Sequence, residues 1–191
     1  MRILYAVSEV FPFSKTGGLA DVAGALPVSL ARLGHDVRVV APELPMVRRG
    51  DRKFDSLGSV TVSLPNQSLN FTVIKSLLPD SPVEAFFLGN DGLFNRPGLY
   101  QENGRDYPDN HLRFGAFSRA VLALSGLTGW RPEIIHGNDW QTGLIFAYLK
   151  SDRGRPSPVP EAGTVFTVHN LGYQGVFPYK AFLELGLSPE L

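Results

Sequence analysis

Two short apolar runs flank one helix-length segment within the first 41 residues, and that order leaves few folds open. Ile3 to Val7 is continuously apolar and Asp36 to Ala41 (DVRVVA) is rich in β-branched residues, so both read as buried strands. Between them Leu19, Val22, Ala23, Leu26, Leu30 and Leu33 recur at three- and four-residue steps, which predicts a helix over 19–33 with one apolar face. Gly34 stands where a left-handed C-terminal cap is wanted, and Pro27 predicts a kink. Strand, helix, strand at this spacing is a βαβ unit, in which the strands lie parallel and the helix covers the sheet.

The pattern continues downstream. Val60, Val62 and Leu64 alternate with polar residues, as do Leu69, Phe71 and Val73 after PNQS, which predicts a hairpin with one wet face. Val83 to Leu88 is a further strand candidate. Asp109 to Leu127 carries Leu112, Phe117, Val121 and Leu124 at helical period, a short strand begins at Ile134 and Ile135 and ends at His136, and a helix spans roughly 142–150. The segment 151–163 (SDRGRPSPVPEAG) is rich in Pro, Gly and charge and reads as an exposed loop before a strand over Thr164 to Val168. The predicted class is α/β: a mostly parallel sheet flanked by helices, with an added β-hairpin. Ligands of such sheets gather at the carboxyl ends of the strands.

Charge and composition exclude several functions. Eighteen Lys and Arg balance eighteen Asp and Glu, so no net field draws the chain to nucleic acid or an anionic membrane. The absence of cysteine rules out disulfides, thiolate nucleophiles and Cys-ligated zinc, and fits a cytoplasmic protein. The first apolar run is interrupted by Ser8 and Glu9, too soon for a signal sequence or a membrane span.

Polar clusters follow the strands or fill long loops: Lys15 to Asp21, Gly89 to Tyr100, His136 to Gln141, and His169 to Gly175. In the first, Gly17 and Gly18 permit close backbone approach, a helix N-terminus supplies free N–H groups, and Lys15 adds a mobile cation. The combination fits a phosphate cradle, and equally a plain capped helix start. Neither the P-loop nor the G-x-G-x-x-G pattern is present, so NTP hydrolysis and nicotinamide binding are unsupported. His136, Asp139 and His169 follow two different strands and can converge, in hydrogen-bonding roles or to steer a proton. A metal is disfavoured, because no paired histidines stand at helical spacing. Trp140 reads as packing, Tyr100 and Tyr173 read equally as packing or as stacking platforms for a sugar ring, and Arg96 reads as a clamp on its own loop.

Taken in order, KTGGLADV after ILYAVSEVFPF, then RPGLY, HGNDWQTGL and FTVHNLGYQG closely resemble the glycogen and starch synthases of bacterial type. The likeness is strongest over 1–50, 86–150 and 163–178 and weak over 51–82. It implies the N-terminal, acceptor-side half of a glycosyltransferase B fold, with a Rossmann-like sheet, over residues 1–191. It also implies that the nucleotide-binding C-terminal domain lies outside this chain, and that the chain alone is inert. The implied reaction moves glucose from ADP-glucose to the non-reducing 4-hydroxyl of an α-1,4-glucan such as glycogen, with retention and without a cofactor or metal. By the same resemblance Lys15, Gly17, Gly18, Asp21, Tyr100 and Asn170 bind substrate, and His169 and Asp139 are catalytic. His169 would contact sugar hydroxyls and hold its backbone carbonyl near the developing oxocarbenium ion. Two departures stand out: many relatives read H-A-H-D-W-H where this chain has His136, Gly137, Asn138, Asp139, Trp140 and Gln141, so amides replace two histidines. The alternatives are a UDP-glucose transferase or phosphorylase of the same architecture, or a non-catalytic sugar-binding module.

Overall fold

The computed structural model describes residues 1–151, 159 and 161–187. Its first element, β1 (Arg2–Ala6), leads through a polar loop into α1 (Gly18–Arg32), and β2 (Asp36–Pro42) returns beside β1 in parallel register, with Ile3 opposite Val37. This is the expected βαβ unit. The helix runs through Pro27, which is buried along with Ala20 and Ala23, and the chain leaves it at Gly34 with φ +87°. Leu33, expected on the apolar face, is instead 75% exposed at the C-cap, just before the chain turns back into the sheet as β2.

β3 (Asp55–Leu64) and β4 (Gln67–Leu77) form the predicted hairpin, closed by the two-residue turn Pro65–Asn66. Along β3 only Val60, Val62 and Leu64 are buried, so one face is wet as expected. β5 (Glu84–Gly89) pairs antiparallel to β4 and parallel to β2. A single turn, α2 (Asp91–Phe94), and a small ribbon of β6 (Gln101–Glu102) and β7 (Arg105–Asp106) precede the long α3 (Asn110–Thr128). β8 (Ile134–Asn138) then joins the far side of β1, followed by α4 (Trp140–Ser151), β9 (Gly163–Thr167) and α5 (Tyr179–Glu184). Of the loop expected over 151–163, residues 152–158 and 160 lie outside the described residues.

The sheet runs β3-β4-β5-β2-β1-β8-β9, with β4 alone running opposite to the other six strands. Its middle strands are buried on both faces, which explains why β1 and β2 read as continuous apolar runs and not as alternation. Phe71, Phe94, Phe114 and Phe117 meet at centroid separations of 6.0–6.4 Å and bind the hairpin, α2 and α3 into one core. At the opposite edge, Val165 and Phe166 of β9 are 44% and 46% exposed.

Candidate functional site

β1 lies between β2, which follows it in the chain, and β8, which the chain reaches only after crossing to the other half of the sheet. In open α/β sheets such a reversal marks the position at the carboxyl ends of the strands where ligands are held, here beyond β1 and β8. Ser8 and Glu9 emerge from β1 there, Asp139 from β8 and His169 from β9. In-register pairing of Ala6 with Gly137 and of Asn138 with Thr167 brings these ends level.

The glycine-rich loop is pinned from beneath by Glu9, which is 2% exposed. Its carboxylate accepts a short hydrogen bond from the Thr16 N–H and one of 2.7 Å from the Thr16 hydroxyl. Lys15 stands exposed above, its Nζ donating to both carboxylate oxygens of Asp21 at 2.6 and 2.8 Å. Any anion entering here therefore meets a cation already paired, and competes with Asp21 for it. Gly17 caps α1 in extended backbone and Gly18 opens the helix, so neither needs a conformation reserved for glycine. A Cβ on Gly18 would meet no atom within 4 Å, and one on Gly17 only Glu9 Oε1 at 3.8 Å. Internal packing therefore sets no requirement for glycine at either position. Gly18→Ala in the full-length protein should leave the melting temperature unchanged or slightly raised, because alanine favours helix. It should nonetheless lower kcat/KM by about tenfold or more, the cost of misplacing a bound substrate. Equal loss of stability and activity would show that the glycine serves the fold.

Asp139 adopts φ +57°, a left-handed conformation uncommon outside glycine. That geometry turns the chain from β8 into α4, while Oδ1 accepts the backbone N–H of His169 at 2.7 Å and, at 3.4 Å, that of Asn170. Asn170 in turn accepts from the Gly172 N–H at 2.9 Å and shapes the loop beyond. Asp139 is thus 9% exposed and engaged with backbone, so it acts on the His169 segment by placing it. Asn138, expected to lie beyond the strand, is its last residue and is fully buried.

His136, half-buried against the Tyr5 ring, shares a 2.8 Å hydrogen bond with the Thr167 hydroxyl. Burial, and secondarily the neighbouring His169, lowers its pKa below the ordinary 6.5. The unfolded chain then takes up this proton more readily than the fold, so the associated stability is present above about pH 6.5 and is lost as pH falls through the lower folded value. Melting temperatures between pH 7.5 and 5.5 should fall less steeply in His136→Gln than in the unsubstituted protein, and parallel curves would assign the acid sensitivity elsewhere.

Tyr100 is tucked against Phe114, and its hydroxyl lies 2.6 Å from Ser8 Oγ. Burial and the Glu9 carboxylate raise its pKa and keep the phenol protonated. Its loop is fastened by Arg113, which is fully buried: Nε donates to Leu93 O at 2.7 Å, and Nη1 to Leu99 O at 2.9 Å and Asn110 Oδ1 at 2.6 Å. Arg96 grips Asp109 through both terminal guanidinium nitrogens, Nη1 and Nη2, at 2.7 and 2.6 Å, the loop-holding role expected of it. Burial pushes the Asp109 carboxyl up, but the Arg96 pair outweighs it and holds the group below its usual range. The charge of Asp139 acts on both Tyr5 and Tyr100, so the Glu9 and Asn138 clusters lie within electrostatic range of one another.

Trp140 packs between Phe114 and Phe177 at 5.1 and 5.5 Å, as expected of a core residue. Tyr173 is 72% exposed and, with Trp140, borders an apolar cavity of about 650 Å³ beside α5. Among the described residues no group of three or more His, Asp or Glu could hold a metal ion, and no helix is long and apolar enough to cross a membrane. Sequence reasoning missed Glu9, Tyr5 and Arg113. Only Glu9 left a trace, as an acidic residue interrupting an otherwise buried run.

Residues 2–191 match the family described as the starch synthase catalytic domain. The glycogen synthase of Syntrophotalea carbinolica is 47% identical over 192 residues, which is 100% of this chain and 39% of that protein. The glycogen synthase of Geotalea daltonii is 46% identical over 194 residues, with the same coverage of 100% and 39%. Among solved structures, the catalytic domain of starch synthase IV from Arabidopsis thaliana, bound to ADP and acarbose, superposes with a TM-score of 0.82 at 30% identity, over 98% of this chain and 37% of that one. The chain therefore spans about two-fifths of the length of the curated relatives it matches.

Proposed function

Because the chain belongs to the starch synthase catalytic domain family, we propose that it is the N-terminal, acceptor-side portion of a cytoplasmic glycogen or starch synthase that transfers glucose from ADP-glucose to the non-reducing 4-hydroxyl of an α-1,4-glucan, with retention. The observation that carries this reading is the unbroken family match from residue 2 to residue 191. The chain supplies one wall of the active crevice, and the nucleotide-binding domain belongs to the rest of the relatives' length.

In this reaction the acceptor O4 bonds to the anomeric carbon, the bond from that carbon to phosphate breaks, and the hydroxyl proton leaves with the phosphate. Positive charge grows on the sugar and negative charge on the leaving group, so fixed dipoles and a cation accelerate the step without a covalent nucleophile. Lys15 and the free N–H groups at the start of α1 oppose the phosphate charge, with Asp21 holding the lysine until the donor arrives. Gly17 and Gly18 leave room for the donor, and Tyr100, from its position beside Ser8, sets the crevice wall. His169 and Asn170 meet the transferred glucose, and Asp139 orients both through their backbone.

The test is glucose incorporation into glycogen by the full-length protein, supplied separately with ADP-glucose, UDP-glucose and glucose 1-phosphate. Incorporation from ADP-glucose is expected, with none from a polypeptide limited to these 191 residues. Incorporation from glucose 1-phosphate alone would make the protein a phosphorylase, and none from any donor would favour a binding module.

A further inference from the structure

The geometry points to Asn138 as a positioning residue that locks His169 in its Nε2–H tautomer, so that Nδ1 meets a substrate hydroxyl as a hydrogen-bond acceptor.

The inference follows from the hydrogen-bonding capacity of one buried amide. Asn138 is fully buried, and its Nδ2 donates to the backbone carbonyl of Ala6 at 3.0 Å, with a longer contact of 3.5 Å to the carbonyl of His136. A backbone carbonyl can only accept, so this side of the amide must be the nitrogen, and the flipped amide would set two oxygens against each other. Oδ1 therefore faces the other way, where it lies 3.0 Å from the Tyr5 hydroxyl and 2.9 Å from His169 Nε2. An amide oxygen has two lone pairs and no proton, so both neighbours must donate to it. Tyr5 is able to: it is fully buried, and burial together with the charge of Asp139 raises its pKa and keeps its proton in place. Nε2 must likewise carry its proton, and in a neutral imidazole that leaves Nδ1 with a free lone pair.

The backbone of the same residue is held by Asp139, whose Oδ1 takes the His169 N–H at 2.7 Å. Consecutive residues at the end of β8 thus fix His169 twice, Asp139 by its main chain and Asn138 by its ring. A sugar hydroxyl can donate or accept, so a ring that only accepts forces the hydroxyl proton to point at it and selects one hydroxyl orientation. The identity of that ligand rests on the sugar-transfer reading, whereas the tautomer does not.

Both parts are measurable in the full-length protein labelled with ¹⁵N-histidine. At pH 8, with His169 assigned by the signals lost in His169→Gln, the two-bond ¹H–¹⁵N spectrum should show a protonated, pyrrole-type Nε2 and an unprotonated, pyridine-type Nδ1. Asn138→Ala should average the two nitrogens and lower kcat by about 10–100-fold with a smaller change in KM, the range seen when an orienting partner is removed. An Nδ1–H or averaged ring in the unsubstituted protein overturns the inference, and that result does not depend on any Asn138 variant folding. Unchanged His169 shifts in Asn138→Ala overturn it as well. If the protein transfers glucose from no donor while the Nε2–H form is present, the function proposed above fails and the tautomer assignment stands.

Discussion

Replacing Lys15 with alanine in the full-length protein lowers turnover about 10²–10³-fold, the loss typical of removing one group aimed at developing charge. Stability changes by less than about 1 kcal/mol, because the ion pair with Asp21 is exposed, with side-chain accessibilities of 47% and 54%. This separation of effects is what distinguishes a group that meets phosphate from one that merely caps a helix start. Lys15→Arg recovers only part of the rate, since a planar guanidinium in place of a compact ammonium cannot occupy the same space above the glycines. Steady-state rates with ADP-glucose, set beside urea unfolding of the same samples, check both halves. A rate within twofold of the unsubstituted protein removes Lys15 from the mechanism.

Arg113→Met has the opposite signature. The substitution keeps an apolar stem of similar length but strips donors from Leu93 O, Leu99 O and Asn110 Oδ1 in a fully buried setting. Each orphaned acceptor costs about 1–3 kcal/mol, so we expect the loss of three donors to destabilise by about 3 kcal/mol or more, a large share of a typical domain's 5–15 kcal/mol. The guanidinium also sits 4.8–5.4 Å from the ring centres of Tyr107, Phe94 and Phe114, contacts that a thioether replaces only in part. Because Asn110 also donates to Tyr100 O at 2.8 Å, the loop bearing Tyr100 loosens with it. Arg113→Lys does not rescue, as a single ammonium cannot span acceptors spread around a planar fork. Urea unfolding midpoints measure the effect, and a loss under about 1 kcal/mol would mean that water takes over the vacated bonds.

Much of the fold was legible because its signals are local. Apolar runs, a helical period and a well-placed glycine marked β1, α1 and β2, and strict alternation at Val60, Val62 and Leu64 marked the hairpin. β8 was read two residues short, at His136, because Gly137 and Asn138 carry no apolar signature: Gly137 is small, and Asn138 is buried by virtue of its hydrogen bonds. Arg113 was invisible for a related reason. A charged residue in a helical pattern reads as solvent-facing, and only the three-dimensional placement of backbone carbonyls around it makes burial tolerable. At the candidate site, sequence supplied the loops but not the groups beneath them, since Glu9 and Tyr5 act on residues seven and 133 positions away.

That last separation bears on how the molecule is made. β1 can pair with β2 as soon as residue 42 is available, but its other edge stays open until β8 exists, and Tyr5 awaits Asn138 across 133 positions. At a translation rate of about 5–20 residues per second, the interval is on the order of ten seconds. For that time the nascent N-terminal strand holds an apolar, half-paired edge outside the ribosome, and the crevice does not yet exist. Variants that weaken the β1–β2–α1 unit should therefore reduce the yield of soluble protein during synthesis more than they reduce the stability of the finished fold.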